Sequence, residues 1–578
     1  MASGSPQRST VGHNFVTNTH TNVTSTSQGQ HSEVALADER AVHEALSRTN
    51  HLGTFECRKF RHSIFQSHSQ LSLSMASSYL EISKTKNYVE ANTQLLALDK
   101  RLKLRDINLS ASKETLKEKC RELAHLNHLI ASKYSSYEIA YKHCLRLSSR
   151  YELTPPTSAY IEGQVKRLCC PRWWLRRIKD KQRKILESVA RDLGQIHRFK
   201  SPYSSINTQI EHSKQQVATM TYLENTFLSN GSSQIFSLKD LYEKSVSNPF
   251  IRRAELMVRI KGFEMVADQL GHIGNFYTIT CPSRMHARLS KTGHKNKKYD
   301  GTTPREAQEY LAQSWACARS KLNREGIYIY GFRVAEPNHD GTPHWHLLLF
   351  MDNAHSNRVN QVLRHYAMID SPNEKGAHKS RFKSIPIDKN KGSAAGYIAK
   401  YIAKNIDGAH IDEDLDGNDS KQTAKAINSW ASCWSIRQFQ QIGGPSVSVW
   451  RELRRYSELN NPLASGGSDL VAEAAIYAGA SDWAAYVMVM GGINVPSKDR
   501  PIKILYVQPE LFDPDTGELN EQGLTRYGDI SEAKVKGLIC NGIEYITRPH
   551  EWKIIEAPPD EREHAHCARA VGALDLYQ

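Results

Sequence analysis

A change in hydrophobic pattern near Phe276 divides the chain into two parts that must fold differently. Before it, apolar residues recur at helical spacing, as in the run from Ser78 to Leu109, which contains neither Gly nor Pro. After it, short runs rich in β-branched and aromatic residues alternate with helical segments. The pattern predicts a largely helical N-terminal region that precedes an α/β or α+β domain built on a sheet.

Composition predicts four segments along the chain. Residues 1–33 are rich in Ser, Thr, Asn, Gln and Gly, and are expected to form a disordered tail because they have little apolar surface to bury. Residues 34–245 form the helical, partly basic region, and residues 246–465 form the sheet-containing domain. Residues 466–578 are expected to form a small C-terminal α/β region, whose role the sequence leaves open.

Charge and cysteine usage narrow the classes of protein to which the chain can belong. The 578 residues carry a formal net charge of +15, which favours an anionic partner such as nucleic acid over a merely soluble basic protein. The 10 cysteines are sparse for this length and none forms a C-x-x-C pair, so they are expected to be reduced thiols in a cytoplasm rather than a disulfide framework. No apolar run is long enough to span a membrane, and no membrane partner is expected.

The stretch PNHDGTPHWHLLLF, from Pro337 to Phe350, joins two predicted strands and carries a pair of histidines. The connection between the strands is short, so they are expected to be antiparallel. Residues two apart share a face of a strand, so His344 and His346 point the same way and Trp345 points into the opposite layer. Two neutral imidazoles can chelate a divalent ion, but a His-x-His pair also occurs on strands without any such role.

The length of the loop decides whether a carboxylate joins the two histidines. A three-residue loop with Gly341 in the left-handed region places Glu336 opposite His344. A two-residue loop turns Glu336 away and leaves His339 and Asp340 as the alternative ligands. Two histidines and one carboxylate suit Mg²⁺ or Mn²⁺ acting as a Lewis acid with open coordination positions.

The stretch GYIAKYIAK places two tyrosines one helical turn apart. Tyr397 and Tyr401 share a face of the predicted helix, and Lys400 and Lys404 form a neighbouring stripe. Such a helix either packs its tyrosines on a sheet or presents them for chemistry. A tyrosine hydroxyl titrates near about 10 in water, so a nucleophilic tyrosine needs help. Lys400 and Lys404 are the candidates for stabilising phenolate or phosphate charge.

Two further segments combine basic and aromatic residues in a way that suits nucleic-acid binding. In both, the alternative is that the aromatic rings anchor a helix in the core and the charges form a solvated face. The candidate DNA-binding residues are Arg172, Trp173, Trp174, Arg176 and Arg177 in the first segment, and Arg451, Arg454 and Arg455 in the second.

Three stretches carry a resemblance to a known family. FYTIT, EPNHDGTPHWHLLLF and GYIAKYIAKNIDG follow, in order, the three motifs of the HUH endonucleases of the rolling-circle Rep class. The chain most resembles one branch, the replication gene A proteins of temperate tailed phages. That branch also has segments similar to CCPRWWLRR upstream and WASCWSIRQFQQIGGPSVSVWRELRR downstream, so the resemblance covers about residues 160–460.

The resemblance implies a fold and an activity. The fold would be α+β, with a central antiparallel-sheet HUH endonuclease domain and flanking helices, and the activity would be nicking and rejoining of single-stranded origin DNA. His344 and His346 would hold the metal, and one tyrosine would attack a phosphodiester to give a 5′-phosphotyrosine and a free 3′-hydroxyl. That end would prime a host DNA polymerase in the bacterial cytoplasm, and the second tyrosine would act when the new strand is released.

The sequence also suggests a host partner and leaves two alternative functions open. The chain has no P-loop pattern, so strand separation is expected to come from a host helicase. A plasmid-mobilisation relaxase uses the same chemistry, but relaxases usually place their tyrosine before the histidine motif, whereas Tyr397 and Tyr401 follow it here. The other alternative is a non-catalytic DNA-binding protein in which the His-x-His pair is incidental. The sequence does not identify the origin, or which tyrosine attacks first.

Overall fold

The computed structural model describes residues 38–408, 419–460, 470–512 and 523–556. These residues form an α+β structure, as expected from the sequence, with many helices and several small antiparallel sheets. The tail expected to be disordered, residues 1–33, lies outside the described residues. No helix within the described ranges is long and apolar enough to cross a membrane.

The N-terminal region is helical, as the spacing of its apolar residues predicts. Helices α1 to α4 pack around one core that contains Ile64 and Met75, and helices α5 to α8 pack around a second that contains Leu123 and Trp174. The helices are α1 (38–49), α2 (Phe55–Ser67), α3 (Ser72–Thr85), α4 (Tyr88–Arg101), α5 (Lys113–Ala131), α6 (Tyr137–Arg150), α7 (Ile161–Leu168), α8 (Pro171–Asp192) and α9 (Ile206–Glu224). A short hairpin, β1 (Lys103–Leu104) and β2 (Ile107–Asn108), follows α4.

The rest of the chain alternates strands and helices. Its strands are β3 (Phe227–Asn230), β4 (Ile235–Ser237), β5 (Ile273–Thr280), β6 (Tyr330–Pro337), β7 (Pro343–Met351), β8 (Phe382–Pro386), β9 (Phe439–Ile442), β10 (Ile502–Val507), β11 (Lys534–Cys540), β12 (Ile543–Ile546) and β13 (Trp552–Ile555). Its helices are α10 (Leu238–Glu243), α11 (Pro249–Gln269), α12 (Pro304–Arg324), α13 (Ser356–Met368), α14 (Ala377–Ser380), α15 (Ala394–Ile406), α16 (Ser420–Trp434), α17 (Val447–Asn460), α18 (Leu470–Gly479) and α19 (Trp483–Val489).

A five-stranded antiparallel sheet, in the order β8-β5-β7-β6-β9, forms the centre of this part of the chain. Alternate residues of each strand enter different cores, as period-two alternation requires. Phe276 and Leu348 face a core shared with α11, α15 and α17 to α19. Tyr277 and Trp345 face a second core shared with α12, α13 and α16. The sheet is therefore covered by helices on both faces.

Local signals in the sequence explain where the helices next to the sheet begin and end. Thr303 caps α12 in a reciprocal capping box with Glu306, and Pro304 occupies its first turn, where a missing N–H costs nothing. The Ser393 side chain caps α15 by accepting a hydrogen bond from the N–H of Gly396. Gly408 follows α15 with φ +66°, a conformation that glycine adopts without strain.

The C-terminal segments pack back onto earlier parts of the chain. Strands β10, β11 and β12 form an antiparallel sheet in which Leu538 is buried in the core shared with α17. Strand β13 instead pairs with β3, so that Ile554 lies opposite Leu228 and the sheet has the order β13-β3-β4.

Candidate metal and tyrosine site

The hairpin between β6 and β7 has the three-residue loop that places Glu336 beside the histidines. The N–H of Asn338 donates to the Thr342 carbonyl at 2.7 Å, and the N–H of Gly341 donates back to the Asn338 carbonyl at 2.8 Å. Gly341 has φ +80°, the left-handed conformation that this loop requires. In the resulting register Glu336 lies directly opposite His344, which is the first of the two registers that the sequence left open.

Three side chains converge on the sheet face that looks toward α15. The Nε2 atoms of His344 and His346 are 3.0 Å apart. The Oε2 atom of Glu336 lies 3.2 Å from His346 Nε2 and 3.7 Å from His344 Nε2. Within the described ranges, no other group of His, Cys, Asp and Glu residues brings three such atoms within 4.8 Å of one another.

The protonation states of the cluster suit a cation. Burial alone would raise the pKa of the Glu336 carboxyl, but the nearby charge of Lys404 and the hydrogen bond with His346 lower that pKa to about 2. Burial, together with the neighbouring His346, lowers the pKa of His344 to about 3. At neutral pH the cluster therefore offers an anionic carboxylate and an uncharged imidazole, the forms in which these groups bind metals.

The surroundings of the histidines also fit a metal ion. Thr278 Oγ1 lies 3.2 Å from His346 Nδ1, a contact that fixes the ring and leaves His346 Nε2 directed at the cluster. His344 Nδ1, by contrast, is buried without a hydrogen-bond partner among the described residues, so no such contact fixes that ring. Two imidazole nitrogens and a carboxylate form a donor set that Mg²⁺ or Mn²⁺ can use, and they leave positions open for a further ligand.

Helix α15 brings the candidate tyrosines to the same place. The Tyr401 ring lies 4.1 Å from the His346 ring and stacks on Phe276 at 5.3 Å, measured between ring centroids. Tyr397 lies one turn earlier, with its ring 6.5 Å from that of Phe276. Burial, together with the charge of Glu336, raises the pKa of Tyr401, so its hydroxyl is protonated at neutral pH.

The same helix supports the carboxylate from its next turn. Asn405 Nδ2 donates to Glu336 Oε1 at 2.7 Å, and Lys404 Nζ lies 3.7 Å from the same oxygen. Gln438 Nε2 in turn lies 3.3 Å from Asn405 Oδ1. Lys400, by contrast, is exposed to solvent. Asn405 and Gln438 lie within stretches that carry the family resemblance, but the sequence assigned them no role, and only the docking of α15 on the sheet shows what they contact.

The alternative ligands of the hairpin loop are outside the cluster. His339 stacks on Tyr203, with ring centroids 5.5 Å apart, and that tyrosine also lies beneath Lys404 Nζ at 5.2 Å from its ring centroid. Asp340 is buried, and its carbonyl accepts a 2.8 Å hydrogen bond from Arg191 Nε of α8. The loop is thus held by the helical region that precedes the sheet, a contact that the sequence analysis missed.

The first basic segment lies on α8, where its tryptophans are buried and its arginines are exposed. Trp173 and Trp174 are 7% and 0% exposed and pack in the helical core, so neither indole face is open to a base. Arg172, Arg176 and Arg177 are exposed on the outer side of the helix. For the tryptophans, this favours anchoring of the helix over stacking on bases.

The second basic segment lies on α17, where carboxylates accompany two of the arginines. Arg451 makes a two-pronged ion pair with Glu255, at 2.8 and 2.9 Å. Arg455 contacts Glu452 at 2.8 Å, and Arg454 is half-buried. The exposed arginines of α8 are therefore better placed for phosphates than Arg451 and Arg455.

Comparison with known proteins places this chain in a family. The family model described as bacteriophage replication gene A protein matches residues 92–409, more than half of the chain. It begins and ends earlier than the range of about 160–460 over which the motifs carry the resemblance, and it stops before the downstream segment. The chain therefore belongs to the bacteriophage replication gene A protein family. No solved structure matches it.

Individual relatives agree with this assignment. The replication gene A protein of Escherichia phage 186 is 39% identical over 458 residues, covering 75% of this chain and 63% of that protein. The probable replication protein P12 of Pseudoalteromonas phage PM2 is 38% identical, covering 65% and 57%. A Salmonella typhimurium protein described as a probable replication endonuclease from a prophage-like region is 33% identical, covering 72% and 50%. The matched part of this chain thus spans between half and two thirds of these relatives.

Proposed function

We propose that this chain is a site-specific, metal-dependent single-strand DNA endonuclease and strand-joining enzyme of the HUH type, which initiates rolling-circle replication of a phage or prophage. The observation that carries the proposal is the position of Tyr401, whose ring lies 4.1 Å from that of His346, a buried member of the three-ligand cluster. A relative described as a probable replication endonuclease supports the same activity.

The proposed reaction is a transesterification. The phenol oxygen of Tyr397 or Tyr401 attacks the phosphorus of a phosphodiester and loses its proton, while the bond from phosphorus to the 3′-oxygen breaks. The products are a 5′-phosphotyrosine and a 3′-hydroxyl, and attack by a 3′-hydroxyl in the reverse direction reseals the strand. The bond energy stays in the protein–DNA ester, so joining needs no nucleotide cofactor.

The residues around the tyrosines have separate tasks in this scheme. A Mg²⁺ or Mn²⁺ ion held by His344, His346 and Glu336 would supply Lewis-acid stabilisation of the charge that develops on the scissile phosphate. Lys404 lies beside Glu336 and keeps that carboxylate ionised. Stacking on Phe276 fixes the ring of Tyr401, so its hydroxyl approaches a phosphate from a constant direction.

Two tyrosines on one helical face suit a reaction with two linked cleavages. After the first cut, one tyrosine is esterified, and a second nucleophile is needed when the new unit-length strand is released. Tyr397 and Tyr401 lie one turn apart on α15, so both can reach the same phosphate site with little movement of the backbone. The 3′-hydroxyl then primes a host polymerase, and a host helicase separates the strands, in the bacterial cytoplasm.

Under this proposal residues 246–465 form the HUH endonuclease domain, and the preceding helices contribute to DNA binding. The test uses supercoiled plasmids that carry fragments of the genome encoding the chain, incubated with the protein and Mg²⁺. We expect nicked circles whose 5′ end carries the protein, and loss of nicking in EDTA. Nicking that leaves a free 5′-phosphate, or that persists unchanged in EDTA, would overturn the proposal.

A further inference from the structure

The edge strand β8 lies next to the strands that carry the three-ligand cluster, and it continues the same row of cross-strand neighbours. His346 pairs with Thr278 of β5, and Thr278 pairs with Lys383 of β8. The Thr278 hydroxyl contacts His346, so its side chain lies on the cluster face of the sheet. Phe382, the neighbour of Lys383 in β8, packs against Tyr277 in the core of the opposite face. Lys383 therefore points to the cluster face, with its backbone roughly 10 Å from that of His346.

Lys383 is exposed, and the described residues provide it with no carboxylate partner. The carboxylates on nearby elements are already engaged, since Glu374 pairs with Arg381 and Asp388 lies 3.5 Å from Lys391. The ammonium group of Lys383 is thus available to an anion from outside the chain.

An exposed apolar side chain follows Lys383 on the same face. Ile385 is 48% exposed and pairs with Phe276, the residue on which Tyr401 stacks. In the described part of the sheet, β8 has no further strand beyond it. A cation and an apolar surface, two residues apart, therefore line the open margin of the sheet beside the tyrosines.

We infer that β8 forms a binding site for the single strand that is cleaved, in which Lys383 contacts a phosphate neighbouring the scissile one and Ile385 packs against a base. Proteins that bind single-stranded nucleic acid combine cations that contact phosphates with side chains, usually aromatic, that pack on the faces of the bases. In β8 the apolar side chain of Ile385 would take the second role. The contact is independent of base sequence. The inference rests on the proposed function for the identity of the scissile phosphate.

Binding of fluorescein-labelled oligothymidylate tests the site. The affinity is measured at a series of salt concentrations in a Tyr397→Phe/Tyr401→Phe background, which keeps both rings and prevents cleavage. We expect Lys383→Ala to weaken binding several-fold and to reduce the slope of log affinity against log salt by about 0.7, the value for one lost phosphate contact on a single strand. Lys383→Arg should keep the slope, and Ile385→Glu should weaken binding.

The matched control is Arg319→Ala, which removes an exposed charge from α12 on the opposite face of the sheet. Equal slopes for Lys383→Ala and its parent, an equal loss for Arg319→Ala, or a parent that does not bind oligothymidylate would each overturn the inference. A parallel nicking assay on the unmodified chain separates the two proposals. If that chain forms its covalent adduct while Lys383→Ala binds normally, only the β8 site fails. If no adduct forms but Lys383→Ala lowers the slope, only the proposed reaction fails.

Discussion

Asn405 joins the tyrosine helix to the ligand cluster: its side-chain amide donates a 2.7 Å hydrogen bond to Glu336 Oε1. The same amide nitrogen lies 2.6 Å from the carbonyl oxygen of Tyr401. Asn405 is buried, so water does not compete for these contacts. Through this residue the position of a candidate nucleophile and the orientation of a candidate metal ligand depend on each other.

Replacing Asn405 should weaken metal binding without removing a ligand. Groups that orient a metal-binding carboxylate typically contribute about 10–100-fold to metal affinity, so Asn405→Ala should lower Mn²⁺ affinity within that range. Isothermal titration with Mn²⁺ measures the change, and circular dichroism verifies that the variant is folded. Asn428→Ala is the matched control, since Asn428 donates a comparable bond to the Ile406 carbonyl near the same helix. Equal Mn²⁺ affinity in the parent and Asn405→Ala would refute the link.

Removing both imidazoles should separate cleavage from binding. His344→Ala/His346→Ala should abolish cleavage of a labelled single-stranded origin oligonucleotide, because the remaining Glu336 cannot hold the ion alone. Most of the DNA affinity should persist, since phosphate contacts supply it. His365→Ala, an exposed histidine on α13, serves as the control. Undiminished cleavage by the double variant would show that the cluster has no role in the reaction.

The buried Arg191 should contribute strongly to stability. Its guanidinium donates to the carbonyls of Asp340, Thr302 and Met285 at 2.7 to 2.9 Å. Arg191→Met leaves these acceptors and the Asp340 carboxylate without their cation, which should lower the free energy of unfolding by about 3–5 kcal/mol. Urea denaturation measures the loss, and Arg319→Met on the exposed face of α12 should change little.

The contact between Arg191 and the Asp340 carboxylate also predicts that stability depends on pH. Burial opposes ionisation of Asp340, but His286 and Arg191 hold the pKa of its carboxyl below the ordinary value of 3.8. A carboxyl whose pKa is lower in the folded state than in the unfolded state stabilises the fold. This stabilisation is complete above the unfolded-state pKa and is lost as the pH falls from that value toward the folded-state pKa. The difference in unfolding free energy between the parent and Arg191→Met should therefore shrink below about pH 4. A difference that grows in acid would contradict the assignment.

Charge on α8 should set part of the salt dependence of DNA binding. Arg176 and Arg177 are exposed, whereas the tryptophans before them are buried. Arg176→Glu/Arg177→Glu should lower affinity for DNA and flatten the dependence of log affinity on log salt, because fewer counterions are released. Arg319→Glu on α12 is the control. An unchanged slope in the double variant would assign these arginines to a solvated face.

The parts of the site that local sequence determines could be predicted. The left-handed position of Gly341 sets the loop length, the loop length sets the register, and the register places Glu336 opposite His344. The helical period likewise places Tyr397 and Tyr401 on one face of α15. Each of these relationships spans only a few residues, so turn chemistry and periodicity are sufficient.

The parts that depend on packing between distant segments could not be predicted. Asn405 and Gln438 acquire their roles only when α15 docks on the sheet beside the segment that leads into β9. The contact of Arg191 with the hairpin loop joins residues 149 positions apart. The pairing of β13 with β3 brings together segments that are still further apart. No local pattern encodes such a partner, because many exposed polar or apolar residues have the same local surroundings.

The central claim is that Tyr397 or Tyr401 becomes covalently joined to DNA, and peptide mapping of the adduct tests it most directly. The unmodified chain is incubated with Mg²⁺ and a single-stranded origin oligonucleotide, digested, and analysed by mass spectrometry. The nucleotide should be found on one of these two tyrosines. Tyr397→Phe/Tyr401→Phe should give no adduct, whereas Tyr328→Phe, which changes an exposed tyrosine before β6, should react normally. An adduct on any other residue, or a fully active double variant, would contradict the mechanism and leave α15 as a packing helix.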